Sequence, residues 1–333
     1  MHPLPDVEDL LAGARVVVLP LATRFRGIDR REALLLEGPE GWSEFSPFTE
    51  YEDSEASTWL AAAIADGWQP RPTALRDRIG VNATLPAVPP DRVESALARF
   101  GATRTVKVKV AETGQTLADD VARVRAVRAH LGPEGRIRLD ANGGWNVDEA
   151  ERAAHALAGF DLEYLEQPCA SVEELAELRS RLHDWQLPIA ADESVRKATD
   201  PLRVARDGAA DILVLKAQPL GGVAAALRIA AEAGLPVVVS SALETSVGLS
   251  AGLALAAALP ELDYDCGLGT AALFTNDVTT HPLLPVDGSI GLARVTPDQE
   301  LLDALAASGD RTNWWRARLR RCHAILEAAQ SPE

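Results

Sequence analysis

The sequence predicts an α/β fold: a TIM-like (β/α)7β barrel with an N-terminal α+β capping domain that the C-terminal tail completes. Three observations carry this. From about residue 81, short β-rich runs alternate with Ala/Leu/Arg/Glu stretches of helical composition, as βαβ units around a parallel sheet do. There are eight such runs, which suits a closed barrel better than an open doubly wound sheet. No GxGxxG follows the first run, which weighs against a dinucleotide-binding fold.

The elements follow in order. Residues 15–20, 33–37 and 41–46 read as antiparallel strands, with turns at Gly27, Gly38-Pro39 and Gly41. Residues 54–66 read as a helix, with Ser54 as its N-cap. A proline-rich stretch at 70–72 leads into the barrel runs at 81–87, 105–110, 137–142, 162–168, 188–194, 212–217, 237–241 and 262–267. Beyond 270 the rhythm stops, and 301–307 and 314–329 read as helices. The expected division is a capping domain over 1–80, a catalytic barrel over 81–270, and a segment over 271–333 that packs back on the cap.

Composition narrows the function. Of 333 residues, 47% are hydrophobic and 25% charged, ordinary for a globular chain long enough to bury a full core. The net charge of −16 disfavours general binding to nucleic acid or an anionic membrane. Acids in the first ten residues argue against a signal peptide. The weakly polar stretch 246–260 is shorter than the roughly 20 residues of a membrane span and reads as a buried helix. Three scattered cysteines, Cys169, Cys266 and Cys322, suit a reducing cytoplasm. The expectation is a cytoplasmic enzyme of small molecules, a monomer or small homo-oligomer.

Only four of the 33 basic residues are lysine: Lys107, Lys109, Lys197 and Lys216. Where arginine serves every ordinary cationic position, a retained lysine is a candidate for proton transfer, which arginine cannot perform. Lys197, in a polar loop, reads as a leftover. The other three end barrel runs, as do Asp140, Glu166 and Asp192. The steps 140 to 166 and 166 to 192 are each 26 residues, and 192 to 216 is 24. Each step is one β/α unit, so these residues should line the rim where barrel enzymes keep their active sites. Strand alternation points Lys107 with Lys109 and Asp140 with Asn142, and puts Glu193 on the face opposite Asp192. Three carboxylates from neighbouring strands make a hard oxygen cage suited to Mg²⁺. Repulsion between Lys107 and Lys109 should depress one or both ammonium pKa values.

Lys107-Val-Lys109, Asp140-Ala-Asn142, Glu166-Gln-Pro168, Asp192-Glu-Ser194 and Lys216, in this order and spacing, resemble the enolase superfamily, specifically its muconate-lactonizing subgroup. Within the subgroup the chain is most similar to the o-succinylbenzoate synthase family of the short actinobacterial type. The segments 240–249 (SSALETSVGL) and 41–48 (GWSEFSPF) and the short length carry that likeness.

The resemblance implies Mg²⁺, with Mn²⁺ able to substitute, on Asp140, Glu166 and Asp192. It implies Lys109 as acid/base and Lys216 facing it across a small carboxylate substrate. The implied reaction is an Mg²⁺-dependent dehydration yielding o-succinylbenzoate for menaquinone synthesis, through an enediolate whose charge the ion offsets. Lys107 would tune Lys109. Asn142, Ser240, Ser241 and Gly267 would contact substrate or give it room, as would Gly269. Arg24 and Arg26 are candidates for the succinyl carboxylate. Two rival activities remain open at this point, and a third reading is a non-catalytic binding or scaffold protein. An N-acylamino acid racemase or dipeptide epimerase would use the same residues, and a Schiff-base lyase would use Lys216 as its amine.

Overall fold

A computed structural model describes residues 4–197 and 200–330. Helix α1 (Val7–Ala12) precedes an antiparallel sheet of β1 (Arg15–Phe25), β2 (Ile28–Gly38) and β3 (Gly41–Phe45). The register shifts between Pro20 and Phe25, where proline withdraws a ladder donor. Helix α2 (Asp53–Trp68) follows. Ser54 is not its N-cap. The helix starts one residue earlier, behind Glu52, whose side chain makes no capping bond. Acids Asp53 and Glu55 in the first turn complement the helix dipole instead.

The second unit begins with β4 (Arg78–Gly80) and β5 (Ala83–Leu85), then α3 (Val93–Leu97) and β6 (Thr105–Lys109). The α/β alternation continues through α4 (Leu117–Leu131), β7 (Arg136–Asp140), α5 (Val147–Leu157), β8 (Leu162–Glu166), α6 (Val172–Arg181) and β9 (Ile189–Ala191). Then come α7 (Glu193–Arg196), α8 (Arg203–Arg206), β10 (Ile212–Leu215), α9 (Val223–Ala233), β11 (Val237–Val239) and α10 (Ser246–Ala258). Helices α4, α5 and α6 each open on a capping box, at Thr116/Asp119, Asn146/Glu149 and Ser171/Glu174. Such boxes fix where each β/α loop ends and so where each strand-end side chain sits.

Strands β5 to β11 form one parallel sheet in chain order. The eighth run is not a full strand. Residues 265–267 bridge both edges instead: Asn82 N donates to Cys266 O at 2.9 Å, and Gly267 N to Val239 O at 2.8 Å. Parallel bridges Val81–Cys266 and Ser240–Gly267 complete the closure. Side chains crossing the barrel reinforce this seam. Buried Arg138 on β7 donates to Asp265 O at 2.5 Å, to Asn82 Oδ1 at 3.0 Å and to Glu163 Oε2 at 2.5 Å, and lies 4.8 Å above the Tyr164 ring. Thr105 Oγ1 and Arg104 bind the Asp265 carboxylate. The other half of the barrel interior is apolar: Tyr164, Ala190, Ile212, Val214 and Val238. Arg138→Ala would leave Asp265 O and Asn82 Oδ1 without this donor and Glu163 with only Arg136, 3.7 Å away, and should cost about 2–5 kcal/mol, read from denaturant unfolding.

After the seam, β12 (Ser289–Gly291) pairs antiparallel with β4. Helices α11 (Gln299–Ala304) and α12 (Gly309–Gln330) end the described chain; each starts before its expected position. Trp315 of α12 is fully buried against Phe45, ring centroids 5.7 Å apart, and its indole N–H donates to Glu32 Oε2 at 2.6 Å. Helix α10 is buried along most of its length, the buried helix the 246–260 stretch suggested. No helix among the described residues is long and apolar enough to cross a membrane.

Candidate active site

Parallel register sets the charged strand ends beside one another. Lys109 is the ladder partner of Asp140, and Asp140 of Glu166. Glu166 pairs with Ala190, and Ala190 with Ile212. Asp192 and Lys216 therefore each stand a further pleat along, following the stagger of a barrel's strands. Lys107 is one layer deeper, opposite Arg138.

The lysines sit among the carboxylates. Lys107 Nζ lies 2.7 Å from Glu166 Oε1 and 3.0 Å from Asp140 Oδ2. Lys109 Nζ lies 2.5 Å from Asp140 Oδ2 and 2.6 Å from Asn142 Oδ1, with the Phe25 ring 5.5 Å away. Lys216 Nζ lies 2.6 Å from Asp192 Oδ2, and Arg196 Nε donates to Asp192 Oδ1 at 3.0 Å. A cavity at this centre is lined by Lys107, Lys109, Asp140, Asn142, Lys216, Ser240, Ser241 and Gly267, together with Phe25, Arg26, Thr84, Glu193, Arg196 and Thr270. A neighbouring hollow of about 280 Å³ shares Phe25, Arg26, Lys109 and Asn142 and adds Arg24.

The electrostatics differ from the expected lysine–lysine repulsion. Burial disfavours the Lys107 ammonium, but Asp140 and Glu166 outweigh it and raise its pKa well above the ordinary value. The lysine that burial depresses is Lys216, with Asp192 opposing in part. Burial would also raise Asp140 and Asp192, yet Lys107 and Lys109 hold the first well below the carboxylate range, and Lys216 and Arg196 the second. Glu166 goes the other way: burial, then the Asp140 charge, push it up to about 7. Cys169 and Cys266 are pushed up to about 12, chiefly by burial, so neither is an activated thiol.

As they stand, no three His, Cys, Asp or Glu side chains among the described residues converge to ligate an ion, and Lys107 bridges Asp140 to Glu166. The donor set still fits a hard divalent cation. It offers three buried carboxylates from adjacent strands, and Glu166 Oε2 is buried without a hydrogen-bond partner among the described residues.

Some expected substrate contacts are engaged within the protein. Ser241 Oγ donates to Gly267 O at 3.0 Å and lies 2.7 Å from Thr270 Oγ1. A Cβ on Gly267 would meet Ser240 Oγ at 2.5 Å, and one on Gly269 would meet Asn82 O at 2.9 Å. At both glycines an added Cβ would meet neighbouring protein atoms, and Gly267 also lines the cavity. Glu193 is not turned away: β9 ends at Ala191 and α7 begins at Glu193, so alternation no longer applies there. Arg196 was also missed, although its i+4 spacing from Asp192 was a usable signal.

The cap grips three barrel loops. Tyr51 OH accepts from Arg196 at 3.1 Å, Ser46 N donates to Gln218 Oε1 at 3.3 Å, and Arg31 donates to Leu243 O at 3.1 Å and to Ser46 O. Between them lies buried Glu44, which accepts from Ser46 Oγ at 2.6 Å, Thr245 Oγ1 at 2.5 Å and Gly248 N at 3.1 Å. Burial and the nearby Glu244 charge raise Glu44 from 4.5 to about 7. With its folded-state value raised, Glu44 takes up a proton on folding in that window, and its stabilising contribution is lost as pH rises through it. Glu44→Gln should therefore flatten the fall in Tm between about pH 5 and pH 7.5, measured by thermal melts.

Two family models match the chain, enolase N-terminal domain-like over residues 16–66 and enolase C-terminal domain-like over residues 91–297. The barrel, the cap and these matches together place the chain in the enolase superfamily. It is 56% identical over 324 residues to the o-succinylbenzoate synthase of Mycolicibacterium smegmatis, covering 97% of this chain and 99% of that protein. The o-succinylbenzoate synthase of Mycobacterium ulcerans is 57% identical over the same share of this chain and 96% of its own. Among solved structures, muconate lactonizing enzyme from Pseudomonas putida superposes with a TM-score of 0.73 at 22% identity, over 88% of this chain and 98% of that one. The N-succinyl Arg/Lys racemase from Bacillus cereus gives 0.75 at 21%, over 89% and 97%. These two share the fold.

Proposed function

We propose that this protein is an o-succinylbenzoate synthase, a hydro-lyase of menaquinone biosynthesis. It dehydrates 2-succinyl-6-hydroxy-2,4-cyclohexadiene-1-carboxylate to o-succinylbenzoate. The observation that carries this is 56–57% identity to o-succinylbenzoate synthases along 97% of the chain. The racemase and Schiff-base readings are not favoured. The Schiff-base reading also leaves the three carboxylates without a purpose.

In this reading Asp140, Glu166 and Asp192 hold Mg²⁺, for which Mn²⁺ substitutes. The chemistry such an ion supplies when bound is positive charge against the substrate carboxylate. Lys109, at the mouth of the cavity, removes the proton α to that carboxylate. Lys216 faces the anion that forms and stabilises it by charge. The electron pair returns to the ring as the C–O bond breaks, and Lys109, now protonated, gives its proton to the leaving hydroxyl. Lys107, buried and strongly cationic, keeps Asp140 and Glu166 in place beneath. Arg26, 4.3 Å from the Phe48 ring and lining the cavity, meets the succinyl end in this reading. Loss of cyclohexadiene absorbance with and without Mg²⁺ tests the reading. Turnover that depends on the ion supports it, and folded, Mg²⁺-bound protein with no turnover refutes it.

A further inference from the structure

Glu193 lies in the cavity yet has no part in the reaction just described. Its Oε1 accepts from Asn142 Nδ2 at 3.3 Å and from Arg196 at 2.6 Å. Its Oε2 is buried with no hydrogen-bond partner among the described residues. A buried acceptor left unpaired is destabilising, more so when it carries charge, so packing alone does not account for this oxygen. Asn142 has a left-handed backbone (φ 48°), which asparagine tolerates. Its backbone N–H donates to Asp140 Oδ1 at 3.1 Å, and its Oδ1 accepts from Lys109 Nζ at 2.6 Å.

An ionised carboxylate only accepts. Glu193 therefore fixes the Asn142 amide with its NH₂ toward Glu193 and its oxygen toward Lys109. Arg196, held by the same Glu193 oxygen, reaches the Tyr51 hydroxyl of the cap. A continuous line of polar contacts thus runs from Tyr51 through Arg196, Glu193 and Asn142 to Lys109.

We propose that Glu193 is a positioning residue: through Asn142 it aims the Lys109 amine, and through Arg196 it ties that aim to the seating of the cap. The proposal rests on the reading of Lys109 as acid/base. What matters is an acceptor oxygen at the right reach, not the negative charge. Two substitutions separate these. Glu193→Gln keeps the reach without the charge, and Glu193→Asp keeps the charge but withdraws the oxygen by a methylene.

The experiment measures kcat, KM and calorimetric Mg²⁺ affinity for both variants, for Asn142→Ala, and for Glu193→Asp with Asn142→Ala. Melting curves confirm that each is folded. Glu193→Asp should lose about 10- to 100-fold in kcat, the scale of a catalytic group misplaced by ~1 Å, with KM and Mg²⁺ affinity little changed. Glu193→Gln, which keeps an acceptor oxygen at full reach, should lose clearly less than Glu193→Asp. The double variant should be no worse than Asn142→Ala, because Glu193 acts through Asn142. A Glu193→Gln loss as deep as that of Glu193→Asp overturns the proposal, as do additive losses or a parallel fall in Mg²⁺ affinity. Lys109→Ala is the control. If it retains turnover, the reading of Lys109 fails; if it is inactive while Glu193→Asp is fully active, only the present proposal fails.

Discussion

Lys109→Ala is expected to lower kcat by about 10²–10⁴-fold, the range for removing one general acid–base group. The value should lie near the upper end, because in the proposed reaction the same amine serves both proton transfers. The protein should fold normally. Lys109 is at the cavity mouth, and Asp140 keeps Lys107 as a partner at 3.0 Å. Mg²⁺ affinity should hold or improve, since a cation competing for Asp140 is gone. Lys109→Arg should not rescue activity, because arginine keeps its proton. The checks are turnover, calorimetry with Mg²⁺ and a melting curve. A variant with more than a tenth of wild-type activity would move the base elsewhere, and Lys216 would be the next candidate.

Removing the divalent ion is expected to have a comparable effect. Chelation should abolish turnover, and added Mg²⁺ should restore it. Glu166→Gln should weaken Mg²⁺ binding and lower kcat by roughly 10²–10³-fold, as losing one preorganised electrostatic partner does. The same substitution should raise the melting temperature measured without the ion. Burial and Asp140 lift Glu166 to about 7 from an ordinary 4.5. A carboxyl raised on folding weighs against the folded state increasingly as pH climbs through that window, and fully above it. At about pH 8 the neutral amide escapes that penalty, so lost function and gained stability should appear together. A Glu166→Gln protein that melts lower than wild type without the ion would mean that the Lys107–Glu166 pair outweighs the burial of the charge.

The rim was legible in the sequence because a repeated β/α unit converts sequence spacing into angular position. Asp140 and Glu166 are 26 residues apart and prove to be ladder partners. The lysine count pointed to the same place: three of the four lysines, Lys107, Lys109 and Lys216, line the cavity. What stayed hidden depended on where strands stop. Alternation correctly pairs Lys107 with Lys109, but it fails at Glu193, because β9 has already ended at Ala191. The Lys107 ammonium was misjudged because its neighbour in sequence, Lys109, matters less than Asp140 and Glu166, which lie across the sheet. The Arg31, Glu44 and Gln218 contacts of the cap join residues as much as 212 positions apart. No local pattern reports such pairings.

The seam at residues 265–267 also governs when the molecule can be completed on the ribosome. Strands β5 to β11 can pair progressively as they emerge, since the sheet follows chain order. Its two outer edges stay unsatisfied until Cys266 and Gly267 have left the exit tunnel. The cap waits longer, because Trp315 fills the space against Phe45. Until then a nascent chain carries open strand edges and an uncovered apolar face, the features that invite mispairing. Demand for chaperones should be concentrated in that interval and fall in two steps, as the seam closes and then as Trp315 docks.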